Sequence, residues 1–134
     1  MFKVRDIERS VRQIIRDEEP TNYRWSREEV YRFVFDGICE LNAIRPETRY
    51  VNRVLVTIDK PQQFSQLEQG GLSVQQQDAL LDAIASFDIL IAHKYKDAIV
   101  HFVCYRCFMI DSNDMQNMQL SQGHFTLFKE FANG

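Results

Sequence analysis

The chain is poor in several things, and each shortage excludes something. It has three cysteines in 134 residues. Cys39, Cys104 and Cys107 are an odd number, so they cannot all pair with one another, and in a chain made in the cytosol they are expected to be reduced. It has no run of about 20 apolar residues, the length a membrane span needs. The longest nearly apolar stretch, Ala98 to Ile110, is interrupted by His101 and Arg106. Met1 leads into charged residues rather than an apolar segment, so no secretory signal is expected, and a soluble, cytoplasmically made product is. Nor is there an excess of positive charge: 16 Lys and Arg face 19 Asp and Glu, a net charge of −3 with a pI near 5.6. That balance argues against a free-standing duplex binder, although it leaves room for a local basic patch. Internal repeats and low-complexity tracts are missing. So are G-x-S-x-G, a phosphate-binding glycine loop and H-E-x-x-H.

What remains is 45% apolar and of single-domain length, enough for one real core. The patterning is mostly helical. Val4, Ile7, Val11, Ile14 and Ile15 step by three and four, which predicts a helix from about Lys3 to Asp17 with these residues inward. Opposite them Arg5, Arg9, Arg12 and Arg16 fall within one stripe at about 100° per residue. Ser26 and Glu29 form a capping box, and Trp25 and Val30 stand at the two positions of a hydrophobic staple, so a second helix starts there and runs to Arg45-Pro46. Gly37 lies in its buried stripe, where a glycine costs about 1 kcal/mol relative to alanine. Close approach by a neighbouring helix is the expected return. Tyr50 to Asp59 alternates as a strand, whose partner is either the run Phe87 to Ile91 or another chain. The polar stretch Lys60 to Gly71 reads as a flexible loop. A second capping box, Ser73 with Gln76, opens a short helix to about Ser86. His93 to Ile110 is apolar on nearly every side and should be the buried central post. Asp111 and Ser112 offer caps for a last helix, about Asn113 to Phe131, with Met118, Phe125, Phe128 and Ala132 inward. The expected fold is therefore mainly α: four to five helices around a buried central helix, with a short extended segment and loop in the middle.

Candidate chemistry is sparse. Cys104-Tyr-Arg-Cys107 is a C-x-x-C, but redox pairs of that kind sit where a helix begins, with lowered thiol pKa values. This one is expected mid-helix in the core. His101 with Cys104, Cys107 and Cys39 would supply a Cys₃His set of four zinc ligands, yet three of them spread over about 120° of one helix and a second C-x-x-C is missing. Asp111-Ser-Asn-Asp114 lacks the alternation, glycine and closing glutamate of a calcium loop and reads as helix capping. No catalytic residue, metal site or cofactor is expected. Arg106 shares a stripe with Tyr95, Ile99, Phe102 and Ile110, and a buried guanidinium must be paired. Asp36, Asp111 and Asp114 are candidate partners. The Arg5–Arg9–Arg12–Arg16 stripe is either a solvated outer face or a docking surface for carboxylate-rich or phosphate partners.

Two stretches resemble a known family. One is Tyr23-Arg-Trp25-Ser26-Arg-Glu-Glu29-Val, through Asp36-Gly37 to Leu41 and Arg45-Pro46. The other is Ala98-Ile-Val-His-Phe-Val-Cys-Tyr105-Arg106-Cys-Phe, through Asp111, followed by the helix Asn117 to Phe128. In order and spacing they are similar to the small head–tail adaptor (connector) proteins of tailed bacteriophages. The family often has alanine where Cys107 stands, and Thr57 to Ile91 does not match residue by residue. The resemblance implies a structural virion protein assembled in the host cytoplasm. It implies a ring of copies, usually twelve, beneath the portal protein, joined to a tail or nozzle protein. Such a ring would line the channel through which DNA passes without being read, and would have no membrane contact and no enzymatic activity. On that reading Trp25, Ser26, Glu29, Gly37, Arg106 and Asp111 are structural and the arginine stripe contacts partners. The competing readings are a small helical nucleic-acid-binding regulator, supported by the arginine stripe, and a small metal or redox enzyme.

Overall fold

Six α-helices and two short antiparallel strand pairs make up the regular structure of the described residues, 2–51, 53–56, 58–110 and 114–133 of the computed structural model. Strand β1 (Phe2–Lys3) leads directly into helix α1 (Val4–Ile15). Val4, Ile7 and Val11 are fully buried, as their spacing predicts. Burying a side chain of this kind contributes about 1.5–3 kcal/mol. The expected ends shift slightly. Arg16 is left-handed, with φ +56°, and closes the helix before Asp17, and Ile14 turns outward while Ile15 packs on the core.

Helix α2 (Arg27–Ile44) begins as its capping box dictates. The Glu29 backbone N–H donates to Ser26 Oγ (3.1 Å), and the Ser26 N–H donates to Glu29 Oε1 (3.2 Å). Both staple residues, Trp25 and Val30, are buried. The space that Gly37 leaves open is taken by Phe102, whose Cδ1 would lie 2.9 Å from a β-carbon added there.

The extended segment does not reach across to 87–91. It folds on itself: β2 (Tyr50–Val51) pairs with β3 (Val54–Leu55), Tyr50 opposite Leu55 and Val51 opposite Val54. Arg53, with φ +68°, makes so tight a return possible. The Val56 N–H donates to the Arg49 carbonyl and lengthens the hairpin. Position 57 lies outside the described residues. The stretch expected as a flexible loop contains helix α3 (Gln63–Gln69). Phe64 and Leu67, three apart, give it one apolar edge; Phe64 is buried edge-on against Phe35, ring centres 5.8 Å apart, and Leu67 packs on the core. Gly70 and Gly71, both at positive φ, turn the chain into Ser73, which caps α4 (Val74–Ala85) with Gln76 as expected. The run after it supplies β4 (Asp88–Ile89), whose partner is β1, with Phe2 opposite Ile89 and Lys3 opposite Asp88.

A 3₁₀ turn at His93–Tyr95 precedes α5 (Lys96–Ile110), and α6 (Met115–Asn133) returns antiparallel along it. Helix α5 packs against α1, α2 and α6 and is the central post. Asp97 in its first turn and its two final residues, Met109 and Ile110, are exposed. On α6, Phe128 and Ala132 face inward and Phe125 is half-buried, but Met118 is exposed instead of inward. Arg45 ties the far end of α6 to α2: its Nε and Nη2 donate to the carbonyls of Ala132 (2.8 Å) and Asn133 (2.6 Å). A cation at the C-terminal end of a helix also favours the helix dipole. The expected caps at Asp111 and Ser112 lie outside the described residues.

Candidate functional site

The arginine stripe on α1 divides. Arg5, Arg9 and Arg16 are exposed, and among the described residues none of them has an acidic partner. Arg12 belongs to the core instead, which corrects the expectation of an all-outward stripe. The left-handed turn at Arg16 brings Asp17 back over the helix, its N–H bonded to the Arg12 carbonyl, and sets the Asp17 carboxylate against the Arg12 guanidinium. Arg12 also donates to the Trp25 carbonyl (2.7 Å) and to Glu8 (3.3 Å), and its guanidinium stacks 3.6 Å from the Tyr23 ring centre. Asp17 accepts from the backbone N–H groups of Arg24 (2.9 Å) and Trp25 (3.2 Å) as well. This knot holds the α1–α2 connection and positions the Ser26 cap. Arg5, Glu8, Arg9, Arg12, Gln13, Glu18 and Tyr23 line a shallow cleft of about 290 Å³ over it.

Below the cleft, Tyr31 donates to Glu8 (2.8 Å) and accepts from Arg27 (3.1 Å), which also holds Asp82 of α4 (2.9 Å). Burial pushes the Tyr31 hydroxyl well above the usual phenol range, and Glu8 adds to the effect. Burial pulls Arg27 down, but its bonds to Asp82 and Tyr31 outweigh that and raise it. Tyr31 and Arg27 each stay in one charge state across the physiological range, and the network clamps α1, α2 and α4 together.

A second surface is the hairpin. Tyr50, Val54 and Leu55 are all more than half exposed. A hairpin of this length is marginal alone in water. It rests on the C-terminal half of α2, where Cys39, Asn42, Arg49, Leu55, Val56, Ile58 and Asp59 enclose about 240 Å³. A third surface runs off the α5–α6 corner, where Met109, Ile110, Met115 and Met118 are exposed. That corner adjoins the start of α2, since Phe108 stacks edge-on to Trp25 (5.9 Å). Trp25 and Cys39 are separated by about 20 Å of helix rise, so the apolar corner and the hairpin occupy opposite ends of α2.

Arg106 is half-exposed rather than buried. It meets Asp36 at 3.4 Å and lies over the Phe33 ring (4.8 Å), and Lys60 shares the same carboxylate at 3.1 Å. Of its three candidate partners Asp36 is the one found, and Asp111 lies outside the described residues. The C-x-x-C sits in the core: Cys104 and Cys107 are buried and Cys39 is exposed. Burial pushes the Cys104 thiol far up and that of Cys107 up to about 12. Neither forms a thiolate at neutral pH, which is the form that attacks disulfides or binds metal. The four candidate zinc ligands do not converge, because His101 faces α6, where its Nδ1 lies 3.0 Å from that of His124. Among the described residues no group of three His, Cys, Asp or Glu side chains is arranged to hold an ion, and no helix is long and apolar enough to cross a membrane. The histidine pair and the Arg12 knot escaped sequence reasoning; Asp17 five residues after Arg12, at a helix end, is the one signal that pointed to the knot. No protein-family model, curated protein or solved structure matches this chain.

Proposed function

We propose that the protein is a structural assembly subunit that joins the portal of a tailed bacteriophage capsid to its tail, as a ring of copies continuing the DNA channel. The observation that carries the reading is the separation of two exposed apolar surfaces, the hairpin (Tyr50, Val54, Leu55) and the α5–α6 corner (Met109, Ile110, Met115, Met118), at opposite ends of α2. A ring closes through head-to-tail contacts, which need two different faces on each subunit. The resemblance of residues 23–46 and 98–128 to head–tail adaptors supplies the identity of the partners. Arg5, Arg9 and Arg16, without an acidic partner among the described residues, then serve either a carboxylate-rich partner or the phosphates of passing DNA.

The test is to mix the purified chain with the portal protein encoded in the same genome and image the product. A ring seated on the portal, lost when Tyr50, Val54 and Leu55 are all changed to serine, supports the reading. Absence of any complex at micromolar concentrations refutes it. A nucleic-acid-binding regulator would instead bind duplex DNA with an affinity that falls steeply with salt.

A further inference from the structure

The α5–α6 contact contains an uncommon pair. His101 of α5 and His124 of α6 meet through their Nδ1 atoms at 3.0 Å. The ring planes are only 22° apart and the ring centres are 5.2 Å apart. Since the nitrogens are so much closer than the centres, each ring turns its Nδ1 toward the other. An Nδ1–H of one ring therefore donates to the Nδ1 lone pair of its neighbour, which carries its own proton on Nε2. The rings are bracketed by carbon: Phe131 lies parallel to His101 (5.4 Å, 8°) and Phe108 parallel to His124 (5.7 Å, 12°).

This arrangement holds one proton between the two nitrogens and no more. A single imidazolium still donates to a neutral partner. Two imidazoliums would bring two N–H groups and two positive charges face to face at hydrogen-bond distance, inside a half-buried aromatic stack. We propose that His101 and His124 form a proton-operated latch on α6, closed while the two nitrogens share a single proton and opened when each carries its own.

The charges nearby do not cancel this. Asp97, one turn earlier on α5, favours protonation of His101, but burial opposes it more strongly and the net shift is downward. Burial lowers His124 as well, and His101 adds to that. The other charged groups of packed elements are engaged elsewhere. Arg12 and Asp17 pair with each other beside Cys107, Asp36 holds Arg106 and Lys60, Lys129 lies over Phe125, and His93 meets Phe2 edge-on. Glu29 is bound in the Ser26 cap, and Glu130 is exposed. With both folded pKa values below 6.5, the released state binds more protons. The contact is thus strongest above pH 6.5 and weakens as pH falls through and below it. Arg45 pins the last turn of α6, so the part that yields is the middle, about 117–127.

Hydrogen exchange of the full chain at pH 7.5 and 5, corrected for intrinsic rates, reads the latch. Protection of amides 117–127 should fall severalfold more than that of α1 and α2, because the released helix takes up protons that the closed pair excludes. His124→Gln, which cannot become a cation, should abolish that difference. An NMR titration of the wild type avoids reliance on the variant: His101 and His124 should titrate below an ordinary imidazole and in two coupled steps. Independent titration of both in the range of a free imidazole, or α6 protection unchanged at pH 5, overturns the proposal.

Discussion

Replacing Asp17 with alanine tests whether the Arg12 knot holds the α1–α2 connection. Both side chains are nearly inaccessible, at 4% exposure for Arg12 and 8% for Asp17. Removing Asp17 leaves a buried guanidinium short of a counter-charge and strips the acceptor from two backbone N–H groups, those of Arg24 and Trp25. Breaking a buried pair from one side costs about 3–5 kcal/mol. Glu8 still touches Arg12 at 3.3 Å and the Trp25 carbonyl remains, so the expected loss is near the lower end, about 3 kcal/mol. Against the 5–15 kcal/mol typical of a whole domain, that lowers Tm by roughly 10 °C. Urea denaturation followed by circular dichroism measures it directly, with an unchanged m-value required for the comparison to be clean. Adding Arg12→Met to Asp17→Ala should recover part of the loss, because the uncompensated charge then disappears. A loss of under about 1 kcal/mol, the scale of a surface ion pair, would refute the reasoning, as would strict additivity of the two substitutions.

Two glycines in helices should respond in opposite directions to alanine. Gly37→Ala drives a methyl group into the Phe102 ring and should destabilise by about 1–2 kcal/mol despite the better helix former. Gly123→Ala meets nothing within 4 Å and should stabilise by up to about 1 kcal/mol, both read as shifts in the urea midpoint. Thiol titration of the native protein at pH 8 should give one fast-reacting cysteine, Cys39, with Cys104 and Cys107 reacting only after denaturation; three equal native rates would contradict the burial. Arg106→Leu should keep the helical content and cost no more than about 1 kcal/mol, because the pair is half-exposed and Lys60 still neutralises Asp36.

Where local chemistry decides the structure, the sequence is readable. The two capping boxes, the Trp25 and Val30 positions, the apolar face of α1, the buried C-x-x-C and the need for Gly37 all follow from neighbours a few residues apart. The expectations that failed depend on partners far away or on a single torsion. Arg12 shares its helix angle with three exposed arginines; only the left-handed turn at Arg16 shows that a carboxylate returns to meet it. The strand at 50–55 was visible, but its partner was not, since a positive φ at Arg53 has no glycine to announce it. Helix α3 hides in a polar stretch because two apolar residues make an edge only when a core is present to receive it. The pairing of β1 with β4 and the Arg45 clamp on α6 join residues more than eighty apart, and nothing local encodes them. Of the candidate site, three of the four arginines lie where the stripe put them, while the hairpin and the α5–α6 corner emerge only once the chain is folded.

The burial of α1 against α5 has a consequence for synthesis. Val4, Ile7 and Val11 leave the ribosome well before α5, one of the elements that cover them, which lies about 90 residues later. At 5–20 residues per second the nascent chain carries that sticky stripe for roughly 5–20 s before its lid exists.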